Sequence, residues 1–270
     1  MSDRVPLSEL PSALEREEEI ARRLEGRAPA VFLDYDGTLT PIVDDPAAAV
    51  LPEATRGAIE RLSGLCTVAV ISGRDLRDVR RFVGVEGIFY AGSHGLDIAG
   101  PNGETHQYGR EFLPALDRAE RELTPLLAPI PGSQLERKRF AIAIHFRRAE
   151  DERVPEVEAA VDRVAAGEPE LRVTGGKKIF ELRPDIEWDK GRALLFLLDA
   201  LELDRAQTLP FYLGDDVTDE DAFRVLREDG VPIVVGDEGR PTLARYRLRD
   251  PEEARAFLER LIVLLEARRR

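Results

Sequence analysis

Ala30-Val31-Phe32-Leu33-Asp34-Tyr35-Asp36-Gly37-Thr38-Leu39-Thr40 reads as a short apolar strand that runs into two acids and a turn. The run 30–34 is rich in β-branched and aromatic residues and too short for a core helix, which suits a buried parallel strand. Side chains two apart in an extended segment point the same way, so Asp34 and Asp36 face one crevice. Open parallel sheets bind ligands beyond the carboxyl ends of their strands, and Gly37 lets the chain leave the strand tightly. Two ionised carboxylates in one place repel unless a cation lies between them, and a hard divalent ion such as Mg²⁺ suits such oxygen donors. A plain Asp/Gly turn would use the same residues, so the rest of the chain has to decide between the two.

Working outward, 52–64 reads as a helix with a proline at its start and a glycine at its end. Residues 66–72 form a second strand, 74–84 a second helix and 87–92 a third strand. This β-α-β-α-β order predicts an α/β fold with a parallel, Rossmann-like sheet and right-handed crossovers. The rhythm then changes. Residues 96–108 read as a hairpin turning at Gly100–Gly103, 111–128 as a helix, 133–148 as two antiparallel strands, 151–166 as a helix, and 171–184 as two strands around Gly175-Gly176. After Asp189-Lys190 the first rhythm returns: helix 191–202, strand 210–213, helix 219–228, strand 231–235, helix 251–268. The expected organisation is a catalytic core of 1–104 and 188–270, with an αββαββ cap, 105–187, inserted. Residues 8–25, with alternating charges, are expected to form an exposed helix.

Three further stretches carry chemistry. Gly214-Asp215-Asp216-Val217-Thr218-Asp219-Glu220-Asp221 follows the apolar run Pro210-Phe211-Tyr212-Leu213. Asp215 is placed to complete a metal site with Asp34, and Asp219 to orient a metal-bound water. A helix start capped by Thr218 would account for the later acids, though not for Asp215-Asp216. Ser72, in Ile71-Ser72-Gly73-Arg74, ends a strand, where it could hold a phosphoryl oxygen or cap the next helix. Lys190 opens a helix, where a cation opposes the macrodipole, so compensation of a bound phosphate is the natural role.

The balance of 39 Lys+Arg against 52 Asp+Glu, a formal net charge of -13, argues against nucleic acid as a partner. No apolar run reaches the length of a membrane span, and the first residues lack a signal-peptide core, so a cytoplasmic protein is expected. Cys66 is the single cysteine, which excludes an internal disulfide and a cysteine zinc site.

The four motifs, in this order and at these strand ends, resemble the haloacid dehalogenase (HAD) superfamily, and the insertion resembles its larger (C2-type) cap. The segments LDYDGTLTPI, ISGR, AGSHGLDI, LERKRFAIAIHFR, GKKIFELRP, DKG and LGDDVTDEDAF resemble, more narrowly, the trehalose-6-phosphate phosphatase family over roughly residues 30–238. That resemblance implies a Mg²⁺-dependent phosphatase of a small sugar phosphate. It gives Asp34 the role of nucleophile and Asp36 that of general acid and base. The metal goes to Asp34, the Asp36 carbonyl and Asp215, with Asp219 nearby, and the phosphoryl oxygens go to Ser72 and Lys190. It gives Gly73, Arg74, His94, Glu136, Lys138, Lys178 and Glu181 to the substrate. Arg139, directly after Glu136-Arg137-Lys138, departs from the family pattern of a small residue there. Strand alternation sets Lys178 opposite to Lys177 and Glu181, so a shared cleft would need a bulge near Gly175-Gly176. His145 is expected to be structural. The competing readings are a phosphatase of sucrose phosphate or a glycosyl-phosphoglycerate, a phosphomutase, and a silent sugar-phosphate-binding module. A trehalose-6-phosphate synthase is the expected pathway partner.

Overall fold

The computed structural model describes residues 4–43, 45, 48–176, 178–236 and 240–269. The chain divides into two compact units, Met1–His106 with Trp188–Arg270, and Gln107–Glu187.

The first unit is built on an eight-stranded sheet. Its strands are β1 (Ala28–Leu33), β2 (Thr67–Ile71), β3 (Phe89–Gly92), β4 (Asp97–Ala99), β5 (Thr105–Gln107), β10 (Thr208–Gly214), β11 (Val231–Val235) and β12 (Tyr246–Leu248). The order is β12-β11-β10-β1-β2-β3-β4-β5. It is parallel from β12 through β3 and antiparallel at β3–β4. Alternating residues of β1 go to different cores. Val31 and Leu33 pack with α2 (Glu53–Ser63), α3 (Leu76–Val83) and α8 (Pro251–Arg268), while Ala30 and Phe32 pack with α6 (Lys190–Ala200) and α7 (Glu220–Leu226). A sheet covered on both faces needs strands that are apolar throughout, hence the continuous runs. The strand order reverses at β1: β2 lies on one side and β10 on the other, which puts the switch-point crevice at the ends of these two strands.

The expected helix over 8–25 is shorter, α1 (Glu17–Arg23). Upstream of it the chain is laced onto the sheet edge instead: Ala13 N–H donates to Arg247 C=O, and Arg247 N–H donates to Pro11 C=O. Pro11 cannot donate within a helix, and the lacing covers edge strand β12. The thiol of Cys66, on entry to β2, is pushed by burial up to about 12, so it is inert.

The second unit holds β6 (Gln134–Lys138), β7 (Ala141–His145), β8 (Leu171–Gly176) and β9 (Ile179–Pro184) in the antiparallel order β6-β7-β9-β8. Helices α4 (Leu113–Leu127) and α5 (Val154–Gly167) share one core with Ile142, Ile144, Leu171 and Leu182. The register puts Glu136, Ala143, Glu181 and Thr174 in one row on the other face.

Candidate active site

β1 and β10 are paired in register as far as Leu33 and Leu213, so Asp34, one residue further on, and Asp215, one residue past Gly214, both emerge at the ends of neighbouring strands. Gly37 (φ 83°) brings the first loop against the second: a Cβ there would lie 2.0 Å from Asp215 Oδ2. Gly214 plays the same part beneath Asp219, where a Cβ would lie 2.3 Å from its Cγ. One carboxylate oxygen from each of Asp34, Asp215 and Asp219 lies within 4.8 Å of the others.

Lys190 enters at the first residue of α6, with Asp189 capping the helix by accepting from Arg192 N–H. Its Nζ is 2.9 Å from Asp34 Oδ1 and 2.7 Å from Asp219 Oδ1. Asp219 is fully buried. Its Oδ1 also accepts from the Tyr212 hydroxyl at 2.7 Å, and its Oδ2 accepts from the Asp215 and Asp216 N–H groups at 3.1 and 2.9 Å. With two donors on each oxygen its acceptor sites are filled; what it holds is Lys190 and the loop that carries Asp215. Asp216, not Thr218, caps the turn over Val217–Asp219.

Ser72 is buried. Its hydroxyl accepts from Arg74 N–H at 3.1 Å, and the cap of α3 is Asp75, which accepts from Arg77 N–H. His94 lies against Gly73, where a Cβ would come within 2.9 Å of His94 Cε1. Its N–H donates to Ser72 C=O, and Ser93 N–H donates to Arg74 C=O. Ser93 and His94 both have positive φ, 50° and 56°, a left-handed pair of non-glycine residues of the strained kind that gathers at functional sites. The Arg74 guanidinium donates to both oxygens of Asp36, Nε to Oδ2 at 2.6 Å and Nη2 to Oδ1 at 2.5 Å.

In the second unit, Lys138 Nζ and Glu181 Oε1 are 2.8 Å apart, and His145 Nε2 lies 2.8 Å from Glu136 Oε2. The Lys138–Glu181 pair spans β7, whose residues between them on that face are the buried Ala141 and Ala143, with His145 further along it. Lys178 turns elsewhere. It sits in the β8–β9 turn at φ 64° and its Nζ meets Asp151 at 2.7 Å; Lys177 lies outside the described residues.

The electrostatics of the core cluster are those of a cation site. Burial, only partly offset by Lys190, pushes the Asp34 carboxyl well above the usual range. Burial and then Asp219 push Asp215 up to about 7. Burial works against the Lys190 ammonium, but Asp219 and Asp34 outweigh it and hold the group above its ordinary value. Three carboxylates thus share one ammonium, which pairs with Asp34 and Asp219, and the remaining oxygens of Asp34 and Asp215 are hard donors in need of positive charge. A divalent cation such as Mg²⁺ fits that donor set. Sequence reasoning missed Tyr212. The available signal was a tyrosine inside a fully buried strand, whose hydroxyl must find a partner.

Sheet order, switch point and carboxylate cluster define the fold class, that of the haloacid dehalogenase-like hydrolases. One such hydrolase from Bacteroides thetaiotaomicron superposes with a TM-score of 0.64 at 16% identity, covering 87% of this chain and 100% of that one. Within that class the sequence profile of the trehalose-phosphatase family matches residues 32–252, and the chain belongs to that family of phosphatases. The trehalose-phosphate phosphatase of Mycobacterium tuberculosis is 48% identical over 261 residues, which are 94% of this chain and 66% of that protein. The chain therefore spans just under two thirds of that relative's length. Trehalose-phosphate phosphatase B of Arabidopsis thaliana is 42% identical over 93% of this chain and 71% of its own. A solved trehalose-6-phosphate phosphatase related protein has a TM-score of 0.77 at 26% identity, covering 89% of this chain and 100% of its own.

Proposed function

We propose that the chain is a Mg²⁺-dependent phosphatase that hydrolyses trehalose 6-phosphate to trehalose and phosphate. The observation that carries the reading is the clustered set of Asp34, Asp215 and Asp219, with the Lys190 ammonium paired to Asp34 and Asp219, at the end of the two central strands of a trehalose-phosphatase family fold. Asp34 attacks phosphorus in line, the bond to the sugar oxygen breaks, and an aspartyl phosphate forms. Asp36 gives a proton to the leaving oxygen, then takes one from the water that releases phosphate and restores Asp34. Ser72 and Lys190 hold phosphoryl oxygens. Mg²⁺, held by Asp34, the Asp36 carbonyl and Asp215, supplies neutralisation of phosphoryl charge when bound. Sugar recognition belongs to Glu136, Lys138 and Glu181, with His94 and Gly73 beside the phosphoryl group. Lys178, turned to Asp151, is the least engaged of the proposed contacts. The reading includes a cytoplasmic setting and a trehalose-6-phosphate synthase as the source of substrate. Among the described residues no helix is long and apolar enough to cross a membrane.

Phosphate release from a panel of sugar phosphates, with and without Mg²⁺, tests this. Trehalose 6-phosphate should be turned over fastest, and a chelator should abolish the reaction. Full activity in metal-free buffer would remove the assignment. Preference for sucrose phosphate would change the substrate. Transfer between sugars without net phosphate release would make it a mutase, and no turnover at all a binding module.

A further inference from the structure

Arg74 and Asp36 are 38 positions apart in sequence and meet because β1 and β2 are parallel neighbours that end together. The pair is bidentate, the geometry in which a guanidinium fixes the plane of a carboxylate as well as its distance. The arginine is the fixed partner. Its side chain is 13% exposed against 41% for Asp36, and its guanidinium carbon lies 5.3 Å from the Tyr35 ring centre and 4.8 Å from that of Phe82. Its N–H donates to Ser72 Oγ and its carbonyl accepts from Ser93 N–H. Tyr35 is pinned in turn by its hydroxyl, which donates to Ala49 C=O at 2.6 Å. The side-on edge of the guanidinium, Nε and Nη2, is taken up by Asp36. A bidentate pair uses one lone pair on each carboxylate oxygen and leaves the others open to a proton or a hydroxyl.

We infer that Arg74 is a positioning residue for proton transfer: it sets the plane of the Asp36 carboxyl toward the leaving oxygen and does not bind the phosphoryl group. This rests on the reading of Asp36 as the general acid. In the step concerned the P–O bond to the leaving oxygen breaks and a proton moves from the Asp36 carboxyl to that oxygen, while Arg74 neither gains nor loses one.

Small phosphate monoesters without a sugar isolate this step, because 4-nitrophenolate departs without a proton and an alkoxide does not. Measured on the full chain with Mg²⁺ as kcat/KM, which ends with departure of the alcohol and so leaves out the Asp36-assisted hydrolysis common to both esters, Arg74→Gln should lower the value for an alkyl phosphate by about 10- to 100-fold, part of the general-acid contribution, and for 4-nitrophenyl phosphate by less than about threefold. Inhibition by inorganic phosphate should not change. Arg74→Lys, which keeps the charge but loses the planar fork, should fall between wild type and Arg74→Gln. It carries the test if thermal melting shows that the glutamine variant does not fold. Equal losses on both esters together with weaker inhibition by phosphate would make Arg74 a phosphate ligand and overturn the inference. Asp36→Asn serves as reference. A marked loss on alkyl esters there, with none in the Arg74 variants, overturns the positioning role alone. No dependence on leaving group in Asp36→Asn removes the general-acid reading and this inference with it.

Discussion

Asp219 and Glu136 are both carboxylates beside a nitrogen partner, and they live under different rules. Asp219 is fully buried with donors on both oxygens. The Glu136 side chain is 44% exposed on an open sheet face and meets His145. The Lys138–Glu181 pair, less exposed, bridges strands of the same face. In the core cluster every charge is specified by its neighbours, and the cost of burial makes any mismatch expensive. On the sheet face the charges satisfy one another in pairs, and ligand hydroxyls can exchange into such pairs at little cost. One arrangement suits chemistry common to all phosphate monoesters; the other suits selection among alcohols.

Variants that separate the regions should behave accordingly. The largest effect is expected for Asp34→Asn: turnover of every phosphate ester should fall by at least about 10⁴-fold, with no phosphate retained on the denatured protein. Phosphorylated Asp34→Asn protein would displace the nucleophile to another residue. Next, Lys190→Met leaves Asp34 and Asp219 without their cation, and should cost about 3–5 kcal/mol of stability in metal-free buffer. Urea melts with and without Mg²⁺ measure this, and a variant as stable as wild type would show that the cluster tolerates its own negative charge.

Asp215 gives a pH signature. Its folded carboxyl is pushed up to about 7, so between the ordinary carboxylate range and that value the unfolded chain has lost a proton that the folded chain keeps. Stability should therefore fall as pH rises through that window and level off above it. In metal-free buffer Asp215→Asn should exceed wild type in stability near about pH 8 and show a shallower slope, since Asp34 keeps its own share; parallel melting curves for the two proteins would contradict it. The smallest effect belongs to the sheet face. Glu181→Ala should reduce turnover of trehalose 6-phosphate by about tenfold, the scale of one charge-assisted contact, and leave a small aryl phosphate unaffected. Equal losses on both would erase the contrast between the regions.

The strands that carry Asp34, Ser72 and Asp215 were legible as apolar runs ending in polar residues, because a doubly covered sheet leaves no room for anything else. Local partners were less legible. The caps fell to Asp75 and Asp216 rather than Ser72 and Thr218, since several adjacent residues could serve and only the turn geometry chooses. Strand β12 spans three residues and is held between β11 and the lacing by 11–13, a contact across the whole sequence. The charge alternation of 8–25 described a helix that Pro11 and that lacing confine to α1. The Arg74–Asp36 pair had no local signature, because it exists only once β1 and β2 lie side by side. For Lys178, strand alternation supplied the wrong frame: the residue belongs to a left-handed turn rather than to a strand face or a bulge.

Ala141 and Ala143 lie directly beneath the Lys138–Glu181 bridge. Both methyls are buried, so a larger residue at either position presses on the bridge and changes the shape of the face. Change of that kind stays within the small antiparallel sheet and leaves the carboxylate cluster of the first unit as it is. If that face reads the sugar as proposed, substrate range can diverge through two inconspicuous alanines while the carboxylate cluster stays unchanged.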